Sequence, residues 1–429
     1  MKLSQNDRHA IPHVVIIGGG FAGLWATRAL ANAPVRITLV DRHNHHLFQP
    51  LLYQVATAGL SAPDIAAPLR HILRRQKNVE VRMATVTAID ADAKNITLDD
   101  GTTLDFDDLL LASGATHAYF GNDQWAEHAP GLKTLDDALE LRRELLFAFE
   151  RAEAATDPAE REAWLSFAIV GGGPTGVELA GTLAEIARET LKDEFRNIDP
   201  SQARVRLIEA GPRVLAAFPE TLSEKARTQL ERLGVEVTLG TPVKDINADG
   251  YLLGDSFVPA KTVVWAAGVA ASPLGAMLGV PLDRAGRVQV EPDLSIPRHP
   301  DIFVAGDLAA LMQANGKPVP GVAPAAKQMG RLVARNIRAR LDGATTIPFV
   351  YKDYGNLATI GRMAAVVDLG KLRFSGILAW WFWLVMHVFF LIGFRNRLVV
   401  LLNWCWAYWS YQRAARIILG ENHDSPSAD

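Results

Sequence analysis

Short runs of consecutive apolar residues, each ending in a glycine-rich turn, recur along the first two thirds of this 429-residue chain. Four or five apolar residues in a row, bounded by turn residues, are typical of strands buried on both faces of a parallel sheet. Two such runs, at residues 14–17 and 167–170, each lead through a turn into a stretch with helical spacing. The pattern predicts repeated strand–turn–helix–strand units and therefore an α/β fold.

The two turns have one sequence pattern, Gly-Gly-Gly-x-x-Gly, at residues 18–23 and 171–176. In such a turn the first glycine allows a tight bend, the third lets backbone approach a pyrophosphate, and the last lets helix and strand pack closely. Each helical stretch is followed by a second apolar run that ends in an acid, Asp41 or Glu209. A lone turn of this kind is weak evidence, but two complete copies predict two Rossmann-like dinucleotide-binding domains.

Each unit closes with an apolar run into a small-residue turn, at Gly114 and at Gly268. A third turn, Gly306-Asp307, follows another apolar run, and a helical stretch extends from about Ala325 to Leu341. Residues 79–107 alternate around a turn and predict a β-meander, whereas residues 136–163 have helical spacing and bridge the two units. The first domain is thus predicted to be discontinuous: residues 10–118 and 291–345 form it, residues 119–290 form the second domain with its connecting helix, and residues 346–429 form a C-terminal region.

The composition of the chain changes in its last eighty residues. The stretch from Phe374 to Phe394 carries no charge unless His387 protonates, and a second apolar run follows Arg395-Asn396-Arg397. Six of the ten tryptophans lie in this region, and indole rings prefer the bilayer interface. Twenty-one residues make a helix of about 30 Å, so a span is geometrically allowed, but the second run is too short to return. We expect a membrane-binding helix pair lying in the interface, on one face of the membrane.

Composition narrows the class of protein further. A net charge of −3 argues against a nucleic-acid partner. The single cysteine, Cys405, excludes an internal disulfide and a CxxC redox pair. The first ten residues are polar and lack the apolar core of a secretory signal, which predicts cytoplasmic nucleotide domains. No array of apolar helices with ionisable residues occurs, so proton pumping is not expected.

Three acidic positions carry candidate chemistry. Glu209 suits a ribose 2′-hydroxyl and repels a 2′-phosphate, which favours NADH over NADPH, although Arg213 nearby offers a phosphate ligand. Asp307 is placed to hold a ribityl hydroxyl of FAD, and the helix that follows would direct its positive end at the flavin. Glu178 lies two residues beyond Gly176; it either complements the helix dipole or serves the redox centre.

The motifs GGGFAG, FQPLLYQVATAGLS, GGGPTGVELAG, VWAAGV, VAGDLA and YKDYGNLATIGR together resemble those of the type II NADH:quinone oxidoreductases. The resemblance implies a single-subunit respiratory flavoenzyme that passes a hydride from NADH to FAD and two electrons to a membrane quinone. It places FAD on the first unit, NADH on the second, and quinone at the membrane side. A peripheral location on the cytoplasmic face of the inner membrane follows from it, and a homodimer is compatible with the sequence.

The resemblance also implies site residues. Those matched to FAD are Gly18, Gly20, Phe21, Ala22, Gly23, Asp41, Arg42, Gln49, Val86, Gly114, Gly306, Asp307 and Lys327. Those matched to NADH are Gly171, Gly173, Gly176, Glu209 and Gly268. Glu178 and Gln328 are the implied catalytic residues. The chain departs from the family at Pro324, where many members carry the first glutamine of a pair, so a two-glutamine gate is in doubt. Lys371 is either a quinone-tunnel residue or a solvated lysine beside the membrane segment.

Other functions compete with this interpretation. Enzymes of similar fold that use a catalytic cysteine are disfavoured, since Cys405 lies in the apolar tail. A soluble ferredoxin-type reductase leaves the tryptophan-rich tail unexplained. A membrane-tethered NADH-binding flavoprotein with a partner-binding or signalling role is the alternative from another class.

Overall fold

A computed structural model describes residues 11–410, 413 and 415–418 and divides the chain into two compact units. Unit 1 contains the described residues of Met1–Leu47, Ala66–His117 and Val269–Tyr354. Unit 2 contains the described residues of Phe48–Ile65, Ala118–Gly268 and Gly355–Asp429. Both units are therefore assembled from segments that are distant in sequence.

The strands, in chain order, are β1 His13–Ile17, β2 Arg36–Asp41, β3 His45–Leu47, β4 Ala66–Pro68, β5 Val79–Met83, β6 Val86–Asp90, β7 Asn95–Leu98, β8 Thr103–Asp105, β9 Asp108–Leu111, β10 Ala115–His117, β11 Ser166–Val170, β12 Arg204–Glu209, β13 Val235–Leu239, β14 Val243–Asn247, β15 Gly250–Leu253, β16 Ser256–Pro259, β17 Thr262–Trp265, β18 Val269–Ala271, β19 Val288–Gln289, β20 Ser295–Ile296, β21 His299–Val304, β22 Ala309–Ala310, β23 Asn356–Gly361, β24 Ala364–Asp368 and β25 Arg373–Ser375. The α-helices are α1 Phe21–Ala29, α2 Leu52–Ala56, α3 Ala62–Ile65, α4 Leu69–Leu73, α5 Leu135–Ala154, α6 Pro158–Trp164, α7 Pro174–Glu185, α8 Glu220–Arg232, α9 Ala323–Leu341, α10 Ile377–Phe390 and α11 Phe394–Ser410.

Unit 1 is built on a six-stranded sheet with the order β20-β21-β9-β1-β2-β5. All of its pairings are parallel except β20 with β21. β1 is central and all five of its residues are buried, which explains its unbroken apolar run. Helix α1 leaves the end of β1 and packs against α9, where a Cβ on Gly330 would lie 2.1 Å from the Ala22 carbonyl oxygen. The two helices therefore meet backbone to backbone.

Unit 2 repeats this arrangement with a four-stranded parallel sheet, in the order β13-β12-β11-β17. β11 takes the place of β1, and α7 leaves its end as α1 leaves β1. The α/β fold class and the two strand–turn–helix–strand units predicted from the sequence are confirmed. A smaller antiparallel sheet, β14-β15-β16, lies outside the parallel one.

Two elements of the structure differ from those that the sequence pattern predicts. The helical stretch predicted over 136–163 is two helices, α5 and α6, because Asp157 caps a new helix whose first turn contains Pro158. The β-meander predicted over 79–107 begins later, at β6, since β5 pairs with β2 and extends the parallel sheet. The alternation of apolar and polar residues is similar in both kinds of edge strand, so periodicity alone does not separate them.

The boundaries of the two compact units differ from the boundaries of the four predicted segments. Residues 269–290 join unit 1, where β18 pairs with β10. Residues 346–354 also join unit 1, where Ile347 N–H donates to the side chain of Asn336. Residues 48–65 join unit 2, because Trp404 Nε1 on α11 donates to Gln54 Oε1 at 2.7 Å. These are long-range contacts that no local sequence signal announces.

The C-terminal region of unit 2 consists of the antiparallel sheet β23-β24-β25 and the helices α10 and α11, of 14 and 17 residues. Within the residues that the structure describes, no helix has both the length and the apolar character that crossing a bilayer requires. Trp380, Trp383 and Trp404 face inward and are buried, while Trp381, Trp406 and Trp409 are exposed. The predicted tryptophan cluster is thus divided between a core and a surface.

The packing of α1 on α9 makes Gly330 a test of unit 1. The change Gly330→Ala would place a methyl group 2.1 Å from the Ala22 carbonyl oxygen. The two helices would have to move apart, which lowers the free energy of unfolding by about 1–3 kcal/mol. We expect a lower melting temperature and weaker retention of bound flavin. The matched control is Arg335→Ala, an exposed position on the same helix, which should melt like the wild type. Equal melting temperatures for Gly330→Ala and the wild type would contradict the close contact.

Candidate functional site

The glycine turn of unit 1 has the geometry of a phosphate cradle. Gly18 has a φ of +103°, and a Cβ there would lie 2.4 Å from the Ala112 carbonyl oxygen. A Cβ on Gly23 would lie 1.9 Å from the Gly18 carbonyl oxygen, so helix and turn touch through backbone. A Cβ on Gly20 would meet nothing within 4 Å, and no side chain caps α1 at that residue. Open space beside uncapped N–H groups at a helix start fits an anionic group such as a pyrophosphate.

Asp41, at the end of β2, holds this turn in shape. Its carboxylate accepts the N–H of Gly19 at 2.5 Å and the N–H of His43 at 2.7 Å. The sequence pattern assigned Asp41 to a ribose and gave the middle glycine no role. The structure shows that the same carboxylate also braces the turn, and that Gly19 has no room for a side chain because Leu69 lies 2.5 Å from its Cβ position.

The turn of unit 2 repeats the geometry. Gly171 has a φ of +114°, and a Cβ there would lie 2.5 Å from the Ala266 carbonyl carbon. A Cβ on Gly176 would lie 1.9 Å from the Gly171 carbonyl oxygen, as at the matching position of unit 1. Gly173 again has open space and leaves α7 without a side-chain cap. The second turn therefore fits a second pyrophosphate for the same reasons as the first.

Glu209 braces this turn as Asp41 braces the other. Its two carboxylate oxygens accept the N–H of Gly172 at 2.6 Å and the N–H of Gly211 at 2.7 Å. Each oxygen retains a second lone pair, which leaves it able to accept from a ribose hydroxyl as well. Arg213, the residue that raised the question of a phosphate ligand, donates to the Ala216 carbonyl oxygen at 3.0 Å. Its guanidinium is thus engaged by the backbone of its own loop.

The third glycine turn joins the first within unit 1. A Cβ on Gly306 would lie 3.5 Å from Ala22 Cβ and 3.6 Å from Ala326 Cβ, so this turn faces the starts of α1 and α9. Asp307 lies half-buried in the same turn, 3.5 Å from the Cβ position of Gly321. No side chain caps α9 at Val322, which leaves its N–H groups directed at this place. Three predicted FAD elements are therefore brought together by the fold.

The other residues matched to FAD are distributed between the units. In unit 1, Gly114 has a φ of +71° with open space at its Cβ position, Arg42 is exposed, and Val86 is buried in β6. Gln49 belongs to unit 2, in a short 3₁₀ turn before α2. Gly268, matched to NADH, lies in unit 2 with the Phe120 ring 2.5 Å from its Cβ position.

Lys327 lies on the first turns of α9 in an aromatic setting. Its ammonium is 4.9 Å from the ring centre of Phe21 and 4.7 Å from that of Trp25, both on α1. Burial, reinforced by Arg331, lowers the pKa of Lys327 to about 8. His46 packs edge-on against Phe21, and its Nδ1 is 2.9 Å from the Gly19 carbonyl oxygen. Burial lowers the pKa of His46 to about 4, so a neutral imidazole supports the glycine turn.

Gln328 pairs with backbone of its own unit. Its side-chain amide donates to the Lys352 carbonyl oxygen and accepts the Lys352 N–H, both at 2.9 Å. A ligand at Gln328 would therefore use the second N–H or the second lone pair of that amide. Pro324, in place of the family's first glutamine, lies in the first turn of α9, where a missing N–H costs no helical hydrogen bond.

Glu178 is a buried acid of unit 2 with a strongly raised pKa. The residue is 7% exposed, on the first half of α7, and its Oε1 accepts the Thr359 N–H of β23 at 3.4 Å. Burial raises the pKa of Glu178 to about 8, and the Thr359 N–H opposes that rise only partly. A carboxylic acid that keeps its proton near neutral pH is suited to proton transfer rather than to simple dipole complementation.

The sequence pattern did not reveal a chain of buried polar groups beside Glu178. Tyr53 is buried on α2, its hydroxyl accepts from Gln54 Nε2 at 2.9 Å, and Gln54 Oε1 accepts from Trp404 on α11. Burial, with the field of Glu178, raises the pKa of the Tyr53 hydroxyl. The adjacent Tyr-Gln pair in the FQPLLYQVATAGLS motif was a signal, but its partner Trp404 is 350 residues away. Lys371, by contrast, is exposed.

Comparisons with known proteins agree with this geometry. The pyridine nucleotide-disulphide oxidoreductase family matches residues 12–330, and the NDH2 C-terminal domain matches residues 354–409. Two proteins of Mycobacterium tuberculosis, the type II NADH:quinone oxidoreductases Ndh and NdhA, are 48% and 47% identical to this chain, covering 93% and 94% of it and 89% of each relative. A structure of NDH2 from Plasmodium falciparum in complex with NADH has a TM-score of 0.87 at 19% identity, over 95% of this chain and 100% of that one.

The structural match supports the fold. The sequence matches show, in addition, to which family the chain belongs. The resemblance predicted from six short motifs is confirmed over almost the whole chain, including the C-terminal region after the nucleotide-binding domains. The chain is a member of the type II NADH:quinone oxidoreductases.

Proposed function

We propose that this protein oxidises NADH and reduces a membrane quinone, with FAD in unit 1 and NADH in unit 2, and without pumping protons. The observation that carries the proposal is the pair of glycine turns, each with open space at an uncapped helix start and each braced by an acid. FAD, when bound, supplies the redox chemistry, since a flavin accepts a hydride from NADH and passes two electrons to quinone. The protein itself contributes binding, orientation and proton supply.

In unit 1, the proposed FAD ligands are the residues around the turn. The N–H groups at the start of α1 favour the pyrophosphate, while Asp41 and Asp307 offer carboxylate oxygens to ribose and ribityl hydroxyls. The uncapped start of α9 would add positive potential that favours the reduced form of a bound flavin. Lys327, held between Phe21 and Trp25, contributes a cation beside the same helix start. Gln328 is proposed as a flavin or quinone contact through the remaining donor and acceptor positions of its amide.

In unit 2, Glu178 is the proposed proton donor for quinone reduction. Its raised pKa leaves the acid protonated at neutral pH, ready to give a proton to a quinone oxygen as electrons arrive. Transfer leaves a carboxylate in a buried site, which costs free energy and drives its reprotonation. Glu178 is thus proposed to donate in each turnover and to be restored from solvent.

The function is tested with the FAD-loaded protein in one cuvette. Adding NADH should bleach the flavin absorption, and a short-chain quinone should restore it with no lag. Glu178→Gln keeps the side-chain shape and removes the acid, so bleaching should be normal while reoxidation slows by roughly 10²-fold or more. In the wild type, reoxidation should also slow as the pH rises past about 8, because Glu178 then loses its proton.

The outcomes separate this function from its rival. If quinone reoxidises the flavin no faster than oxygen does, the protein is better described as a tethered flavoprotein with a partner-binding role. If Glu178→Gln reoxidises at the wild-type rate at every pH, then Glu178 is not the donor, although the activity itself stands.

Glu209 is proposed to select NADH. Glu209→Gln removes the charge that repels a 2′-phosphate but retains a carbonyl oxygen that braces one N–H of the turn. We expect the KM for NADH to rise several-fold and the ratio of kcat/KM between NADH and NADPH to fall by about tenfold. Asp41→Asn, the matching change in unit 1, is the control and should leave that ratio unchanged. An unchanged ratio in Glu209→Gln would assign Glu209 to turn geometry alone.

The C-terminal helices are proposed to attach the protein to the membrane face that carries NADH, which is the cytoplasmic face, without crossing it. Exposed apolar residues follow helical spacing on both helices, at 378, 381, 385 and 389 of α10 and at 398, 402, 406 and 409 of α11. Such stripes, rich in tryptophan and leucine, are typical of helices that lie in a bilayer interface. The buried faces of the same helices pack onto unit 2 and leave the outward faces for lipid.

Attachment is tested by vesicle flotation with the full chain. The triple change Trp381→Gln, Leu402→Gln and Trp409→Gln removes outward apolar area and keeps the inward tryptophans. We expect loss of binding to phosphatidylglycerol–phosphatidylcholine vesicles and slower reduction of long-chain quinone, with short-chain quinone reduction retained. The control Met83→Gln alters an exposed apolar residue of unit 1 and should bind normally. Cleavage of the C-terminus only from the side opposite to the NADH site of sealed vesicles would contradict the proposal.

A further inference from the structure

If Glu178 donates a proton in every turnover, that proton must be replaced. A second acid on the same helix, Glu185, indicates a path for its replacement. We propose that protons for quinone reduction enter unit 2 at the cavity lined by Arg413 and reach Glu178 through Glu185 and the Tyr53 hydroxyl. The inference rests on the proposed function, because it concerns the supply of protons to Glu178. It assigns Glu185 as the carrier on the solvent side of that acid.

The two acids occupy one face of α7. They are seven residues apart, which is two helical turns and a rise of about 10 Å. Each carboxylate accepts a backbone N–H of the segment that contains β23: Thr359 N–H at Glu178 and Arg362 N–H at Glu185. Between them, a Cβ on Gly181 would lie 1.5 Å from the Ile360 carbonyl oxygen. Helix and strand therefore touch at their centre, with one acid at each end of the contact.

Glu185 is less enclosed than Glu178 and is held by charges. Its side chain is 16% exposed, and its Oε2 lies 3.4 Å from the guanidinium of Arg413. Burial raises the pKa of Glu185; Arg413 and Arg362 oppose the rise, and Glu189 adds to it. Tyr408 lies close enough for Glu185 to raise the pKa of its hydroxyl. Directly after Glu185, α7 widens into a π-helical turn, a feature frequent at functional sites.

Tyr53 lies on α2, which packs against α7, and it is the group that we propose to bridge the two turns. Both Glu178 and Arg413 act on its pKa, Glu178 raising it and Arg413 lowering it, so the hydroxyl lies within the electrostatic reach of both. It accepts from Gln54 Nε2, which leaves its own O–H proton available for donation. Arg413 also donates to the Thr57 carbonyl oxygen at 3.1 Å and so ties α7 to the segment that carries Tyr53.

Arg413 connects this group to solvent. It lines a cavity of about 420 Å³ in unit 2, on the order of ten waters. The wall of this cavity includes the ion pair of Arg416 with Glu194, whose two N–O distances are 2.5 and 2.6 Å. A guanidinium does not give up its proton, so the carriers on this side are cavity waters ordered by Arg413. In the proposed route, protons pass from cavity water to Glu185, on to Tyr53 and finally to Glu178.

The proposed route accounts for each proton and electron of quinone reduction. Quinone takes two electrons from the reduced flavin and two protons to become quinol. The O–H bond of Glu178 breaks as its proton joins a quinone oxygen. The Tyr53 hydroxyl gives its proton to the Glu178 carboxylate while taking one from Glu185, so no phenolate forms, and Glu185 regains a proton from a cavity water. One passage along these groups in each turnover supplies one proton, and the second hydrogen of the quinol is the one that NADH gives up as hydride.

The test compares two half-reactions of the FAD-loaded enzyme by stopped flow, between about pH 6 and 9. In Glu185→Gln, bleaching by NADH should be unchanged, whereas reoxidation by a short-chain quinone should slow by about tenfold, most strongly at high pH, with a larger solvent deuterium isotope effect. The control is Glu220→Gln, an exposed acid at the start of α8 in the same unit, which should behave as the wild type in both half-reactions. Wild-type reoxidation and isotope effect in Glu185→Gln would overturn the route.

Loss of Glu185 also leaves Arg413 without its carboxylate partner. A structural role of Glu185 must therefore be separated from a role in proton supply. Glu185→Asp keeps both the acid and the charge, and it should recover most of the reoxidation rate if Glu185 carries protons. If Glu185→Gln melts earlier and slows both half-reactions equally, and Glu185→Asp does not recover the reoxidation rate, Glu185 only clamps β23 and the route is wrong. If the wild type fails to reduce quinone at all, the proposed function fails first, and the route fails with it.

Discussion

Close backbone contact at a residue without a Cβ is the constraint on which both units depend. In each unit, a side chain on the last glycine of the turn would clash with the carbonyl oxygen of the first glycine. The pairs are Gly23 with Gly18 and Gly176 with Gly171. This contact brings the start of the helix over the end of the strand, so that its N–H groups converge on open space. Asp41 and Glu209 then fix the turn through the neighbouring glycine N–H. Anion binding follows from backbone geometry rather than from cationic side chains.

The same kind of contact organises the acid chemistry of unit 2. Gly181 lets α7 rest directly on β23, and the two flanking acids are buried by that approach. Burial keeps Glu178 protonated at neutral pH, because few groups are available to stabilise its charge. Glu185 experiences similar burial but is compensated by Arg413 and Arg362. One helix therefore presents two carboxyl groups in different surroundings, Glu178 with one backbone N–H and Glu185 with two nearby guanidinium groups.

The C-terminal helices combine two roles that their apolar sequence does not separate. Their inward tryptophans pack on unit 2, and Trp404 reaches Gln54 beside Tyr53. Their outward residues form the exposed stripes. The helix that carries the exposed stripe is thus connected to the interior of unit 2, from Trp404 through Gln54 to Tyr53.

Local sequence patterns were enough to predict both nucleotide-binding units. Glycine spacing, apolar runs and terminal acids predicted two Rossmann-like units, since each depends on residues within about 40 positions of one another. The tertiary structure decided the rest. Only it shows that Asp41 and Glu209 brace their turns, that Gln328 pairs with Lys352, and that Trp404 and Arg413 bind the segment that carries Tyr53. These depend on burial and on contacts across hundreds of residues, and desolvation of a carboxyl group is a property of its surroundings that no local pattern records.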